Sequence, residues 1–114
     1  MTIFSATQYR GTNERSVKMK TTIEKILSDN HIGESRAIVS SELEALTNLS
    51  GSQIREEVNK LRTAGVPICS GRTGYYLAST QEELKHTVAQ LKSRVSKIRE
   101  AIKGLNIKLE DYYE

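Results

Sequence analysis

The sequence predicts a mainly α-helical chain with one small β-hairpin, ending in a long helix that carries a heptad repeat. Three observations predict it. Apolar residues recur at helical spacing in three short segments between residues 21 and 64. Two alternating runs are separated by Gly71-Arg72-Thr73-Gly74 and read as a hairpin. Leu84, Val88, Leu91, Val95, Ile98 and Ile102 then step by four and three without a break. The chain has 114 residues, enough for one core and an arm. Its hydrophobic fraction of 37% is low for a fully globular chain, and a helix with a narrow apolar stripe accounts for the deficit.

Residues 1–20 are rich in Ser, Thr, Asn and Gln with no apolar period, and read as a flexible basic arm. Arg10, Arg15, Lys18 and Lys20 against Glu14 place the whole net charge of +3 there. Such an arm adds phosphate contacts to a nucleic-acid binder, or it is an inert extension, including one left by a start at Met19.

One folded unit is expected over residues 21–78. Thr21-x-x-Glu24 is a capping-box pattern, and Ile23, Ile26 and Leu27 share one face of a first helix ending near Asn30. Ala37, Ile38 and Val39 make a short β-prone run. Ser41-x-x-Glu44 repeats the box, and Leu43 and Leu46 supply the stripe of a second helix to about Thr47. A third box, Ser50 with Gln53, opens a helix over residues 52–64. Ile54, Val58 and Leu61 point inward there, while Ser52, Glu56, Asn59 and Thr63 point outward, flanked by Gln53, Arg55, Lys60 and Arg62. Gly65 ends that helix. Residues 67–70 and 75–78 are the hairpin strands, with two glycines at the tip to supply positive φ. Alternation sets Tyr75 and Leu77 opposite Ile68 and leaves Tyr76 on the other face as surface cover.

Helix, short strand, helix, tight turn, helix, hairpin is the order of a winged helix-turn-helix. Residues 50–78, SGSQIREEVNKLRTAGVPICSGRTGYYLA, resemble the biotin-repressor type of winged helix and small prophage-encoded proteins built on the same unit. In those relatives a helix of the form S-x-x-x-[IV]-x-x-x-[IV]-x-x-L-R-x-x-G precedes a hairpin ending G-Y-x-L. Ile54, Val58, Leu61, Arg62 and Gly65 match the helix, and Gly74, Tyr75 and Leu77 match the hairpin end. The resemblance spans about half the chain and implies sequence-specific binding of double-stranded DNA by a phage, prophage or bacterial regulator of transcription or replication. It puts the third helix in the major groove, with Ser52, Gln53, Arg55, Glu56, Asn59 and Lys60 as candidate contacts, and Arg72 and Thr73 as contacts from the wing. Asn and Gln can pair with adenine and Glu can accept from cytosine. The competing reading is an ordinary solvated helix face, because Glu56 and Glu57 repel phosphate.

Beyond the arm the charges cancel but are sorted. Glu24, Asp29, Glu34, Glu42 and Glu44 dominate the early helices, whereas Arg72, Lys85, Lys92, Arg94, Lys97, Arg99, Lys103 and Lys108 dominate the later chain. The long helix is expected over residues 79–104, capped by Ser79 or Thr80, with Glu82 and Glu83 in its first turn and Gly104 as its stop. Residues 105–114 read as a loosely ordered acidic tail. Val88, Val95 and Ile102 take position a, and Leu84, Leu91 and Ile98 position d, a pattern that favours a parallel two-stranded coil and hence a homodimer. Lys85, Lys92, Arg94 and Arg99 flank this seam with no acid between them. Three outcomes therefore stay open: self-association, docking of an acidic protein partner with the winged helix as scaffold, or folding of the helix back onto its own domain.

Cys69 stands alone, and no signal peptide or long apolar span is present, so a reduced cytoplasmic setting without a membrane is expected. His31 and His86 lie far apart without ligand-spaced neighbours. No Gly-rich phosphate loop or nucleophile motif appears, and neither enzyme activity, a cofactor nor a metal is expected.

Overall fold

The computed structural model describes residues 22–113, so the arm and the Thr21 cap lie outside the described residues. Helix α1 (Thr22–Asn30) leads through a 3-10 turn (Glu34–Arg36) to α2 (Ser40–Thr47) and α3 (Gly51–Thr63). Strands β1 (Ile68–Gly71) and β2 (Gly74–Leu77) follow, then α4 (Gln81–Glu110) and a closing 3-10 turn (Asp111–Tyr113).

The first three helices pack on one face of the hairpin. Ile23, Leu27, Leu43, Ile54 and Val58 meet Ile68 and Leu77 there, and all are buried. Helix α2 reaches this core through Leu43 alone. Leu46, expected on the same stripe, is 61% exposed, because a helix of eight residues shows the core only one turn. Its start also differs. Val39 occupies the N-cap with no side-chain bond, so the Ser41–Glu44 box does not form; instead the Ser40 hydroxyl donates to Glu44 at 3.4 Å.

β1 and β2 pair antiparallel, with Ile68 opposite Leu77 and Cys69 opposite Tyr76. The short strand expected around Ile38 is a single bridge in which Ile38 and Tyr75 exchange both backbone bonds at 2.9 Å. At the tip only Gly74 takes a positive φ, 121°, and a side chain there would run into the Ile38 carbonyl.

The other face of the hairpin is covered as well. Cys69, Tyr76 and Ala78 form a second cluster against Leu84 of α4. Tyr76 is therefore no surface cover: it is 2% exposed, and burial pushes its hydroxyl pKa up to about 12. The Cys69 thiol is raised by the same burial.

Thr80 caps α4 by accepting from the Glu83 N–H at 3.1 Å. Burial works against the Glu83 carboxylate, but bonds from the Ser79 N–H (2.8 Å), the Ser79 hydroxyl (3.0 Å) and the Glu34 N–H (3.0 Å) outweigh it and hold its pKa below the usual range. This one side chain thus ties the start of α4 to the turn after α1. At its other end α4 does not stop at Gly104. It runs on to Glu110, giving 30 residues, or about 45 Å at 1.5 Å per residue. An interior glycine costs a helix only about 0.8–1 kcal/mol relative to alanine, and helix formers surround this one. Residues 105–110, expected as loose tail, are thereby helical, and Leu105 and Leu109 extend the four-three spacing of the apolar stripe.

Candidate nucleic-acid interface

Helix α3 is held by both its ends. At its start Ser50 Oγ accepts from the Gln53 N–H at 3.2 Å while Gln53 Oε1 accepts from the Ser50 N–H at 2.9 Å, a complete capping box. At its end Arg62 turns inward. Its Nε donates to the Ile68 carbonyl at 2.8 Å and a terminal nitrogen reaches Ser70 Oγ at 3.2 Å, clamping the helix to the open edge of β1. Arg62 therefore does not flank the outer face as expected. Burial, with the nearby Arg94 charge in lesser part, lowers its pKa.

Between these anchors the helix is two-sided. Ile54, Val58 and Leu61 are buried, and Ser52, Gln53, Arg55, Glu56, Asn59 and Lys60 are all exposed. Helix α4 leaves that outer side open. One candidate changes in character: the Gln53 amide oxygen is committed to the cap, so bidentate recognition through this side chain would cost the helix its start. Asn59 has no such commitment. Only its backbone carbonyl is engaged, accepting from the Thr63 hydroxyl at 2.9 Å.

Arg72 and Thr73 form the exposed hairpin tip. Arg72 borders two clefts. One, of about 310 Å³, lies toward α2 and includes Val39, Ser40 and Tyr75. The other, of about 470 Å³, lies between the tip and α4 and is lined by Ser70, Arg72, Gln90, Ser93, Arg94 and Lys97. Arg94 and Lys97 belong to a basic run in the sequence, yet nothing local shows that they face the hairpin tip.

The expected seam on α4 is divided. Leu84 and Leu91 are half-buried beside Val66, Pro67 and Ile68, so the first turns of α4 do fold onto their own domain. From Lys92 to Glu110 every residue is exposed, including Val95 at 47%, Ile98 at 55% and Ile102 at 51%; Val88 is 43% exposed.

Among the described residues no group of three or more His, Cys, Asp or Glu side chains could hold a metal ion. His31 Nδ1 lies 2.7 Å from the Arg36 carbonyl oxygen, which makes that nitrogen a donor. No described helix is long and apolar enough to cross a membrane. No family model, curated protein or solved structure matches the chain.

Proposed function

We propose that residues 21–78 are a winged helix-turn-helix reading head for double-stranded DNA, with α3 as the recognition helix and the β1–β2 hairpin as the wing. The observation that carries this reading is the two-sidedness of α3. Its apolar stripe is fully used in the core, so its polar side is presented outward at a fixed angle beside a basic hairpin tip. Asn59 is the base reader for adenine, and Glu56 accepts from cytosine; Ser52 and Arg55 contact neighbouring base edges, and Lys60, Arg72 and Thr73 hold phosphates. Gln53 contributes through its cap, with only its amide nitrogen left to donate. Glu57 is half-buried, which removes one of the two acids that counted against phosphate approach. The chain acts in this reading as a cytoplasmic regulator of transcription or replication in a bacterium, phage or prophage.

Helix α4 pairs two copies through its exposed a and d positions. A two-fold pair presents its recognition helices to half-sites about 34–36 Å apart or a multiple of that. Selection of bound sequences from random duplexes tests the whole reading. A preferred, two-fold symmetric sequence is expected, and Asn59→Ala then loses about 1–3 kcal/mol of discrimination at one base pair of each half-site. Binding that shows no preference for any sequence, even in low salt, refutes it.

A second reading is favoured by one observation: the positions flanking the seam carry Lys85, Lys92, Arg94 and Arg99 and no acid. In that reading α4 docks an acidic helical partner and the winged helix is a scaffold. A chain that is monomeric in solution and indifferent to duplex DNA favours the second reading over the first.

A further inference from the structure

We infer that the cleft between the hairpin tip and α4 holds the phosphate backbone of the same duplex, which makes α4 a DNA-contacting element in addition to its pairing role. The inference rests on the DNA reading above and assigns a site to it that neither the recognition helix nor the wing alone supplies.

Cations from two distant parts of the chain converge on the cleft. Arg72 comes from the hairpin, Arg94 and Lys97 come from α4, and no carboxylate lines the space. Behind them stands Arg62, bonded to Ser70 Oγ and close enough to Arg94 for the two charges to repel. The fold gains nothing from this convergence, since like charges gathered in one cleft repel one another. A polyanion reverses the sign. The remaining lining side chains suit the same ligand, because Ser70, Ser93 and Gln90 are neutral donors of the kind that meet phosphate oxygens. The cleft has no aromatic or large aliphatic anchor, so neither base stacking nor a protein hot spot is provided for.

Heptad phase sets most of this site apart from the seam. With Val88 and Val95 at a, Gln90 and Lys97 fall at c and Ser93 at f, on the side of α4 away from the apolar stripe, while Arg94 falls at g, on the flank of the seam. A duplex in the cleft and a second helix on the seam are thus compatible. Helix α4 also travels with β1: Val66 to Ile68 lie beside Leu84 to Leu91, and Ser70 to Arg72 lie beside Gln90 to Lys97. The rod leaves the domain at the hairpin tip, where the wing of the proposed reading head meets the backbone.

The test is the salt dependence of binding by the full chain, measured by fluorescence anisotropy on the selected duplex and on a random duplex of equal length. Arg94→Gln/Lys97→Gln removes two cleft charges. Lys25→Gln/Lys108→Gln removes two charges elsewhere, each in a surface ion pair, at 3.5 Å with Asp29 and at 3.6 Å with Asp111. All four residues touched are exposed, so folding is not at stake. For the cleft variant the slope of log K against log salt is expected to fall by about 1.8 for each bound chain, about 3.6 for the two-fold pair, with affinity weakened up to about 60-fold per chain at 0.1 M salt on both duplexes and sequence preference intact. The control keeps the wild-type slope. If the cleft variant matches the wild type while Asn59→Ala loses base preference, the inference is overturned and the DNA reading survives. If the wild type binds no duplex in low salt, both fall. If the cleft variant binds duplex normally but loses affinity for poly-glutamate, the cleft serves an acidic polypeptide and the inference is overturned.

Discussion

Shortening Leu105 is expected to weaken self-association without touching the fold of the single chain. Leu105 is 70% exposed and sits one residue beyond Gly104, at a d position that exists only because the helix passes through that glycine. Truncation to alanine removes no intramolecular packing of consequence. Full burial of a leucine is worth about 1.5–3 kcal/mol, so covering the exposed part is worth about 1–2 kcal/mol per helix. A two-fold pair carries the change twice, about 2–4 kcal/mol, which is about 30- to 900-fold in the dissociation constant. The β-carbon retained by alanine puts the expectation for Leu105→Ala at the lower end, about 30- to 100-fold. Repulsion between Arg94 and Arg99 of paired helices, on the order of 0.2–1 kcal/mol, would be the same in both proteins and would cancel. Sedimentation equilibrium over a wide concentration range reads the effect. Ile107→Ala is the matched control, since Ile107 is 64% exposed but falls at position f, off the seam. Equal effects of the two substitutions, no effect of Leu105→Ala, or a wild-type chain that stays monomeric throughout would refute the reasoning.

Three further outcomes follow from particular contacts. Gly104→Ala should stabilise the end of α4 by about 0.5–1 kcal/mol, because nothing lies within 4 Å of the new methyl group; hydrogen exchange over residues 100–110 should slow, and faster exchange would contradict the continuous helix. Gly74→Ala should destabilise the domain by at least about 2 kcal/mol in urea unfolding, since its φ is 121° and its neighbour is the Ile38 carbonyl; a change within 0.5 kcal/mol, roughly the scatter of surface substitutions, would contradict the register of the hairpin. Glu83→Gln should cost about 1–2 kcal/mol at neutral pH, allowing for partial solvent access. Because the folded state holds the Glu83 pKa below its ordinary value of 4.5, the wild-type contribution is complete above that pH and is lost as pH falls through the lower folded value. The variant should lack this acid-dependent component, and identical pH–stability curves would show that the three bonds to Glu83 contribute nothing.

Local pattern carried much of the molecule. The inward stripe of Ile54, Val58 and Leu61, the Ser50–Gln53 capping box, the glycine-bracketed turn and the spacing of apolar residues on α4 are all properties of a few neighbouring residues. Periodicity and capping chemistry act over one or two turns, so they can be read without knowing where the rest of the chain goes. The exposure of the polar side of α3 was legible for the same reason, since the outer side of an amphipathic helix is implied by its inner side.

The structure decided what depends on distant partners or on small differences between competing local preferences. Gly104 is a stop signal worth only about 1 kcal/mol, and the helix-forming residues on both sides outweigh it. Tyr76 and Cys69 are covered because α4 returns to the second face of the hairpin, and Arg62 turns inward because the edge of β1 offers it a carbonyl. The meeting of Arg72 with Arg94 and Lys97 depends on the same return of the chain. Residues some twenty positions apart acquire a common surface only through tertiary packing, and a one-dimensional period holds no record of that distance.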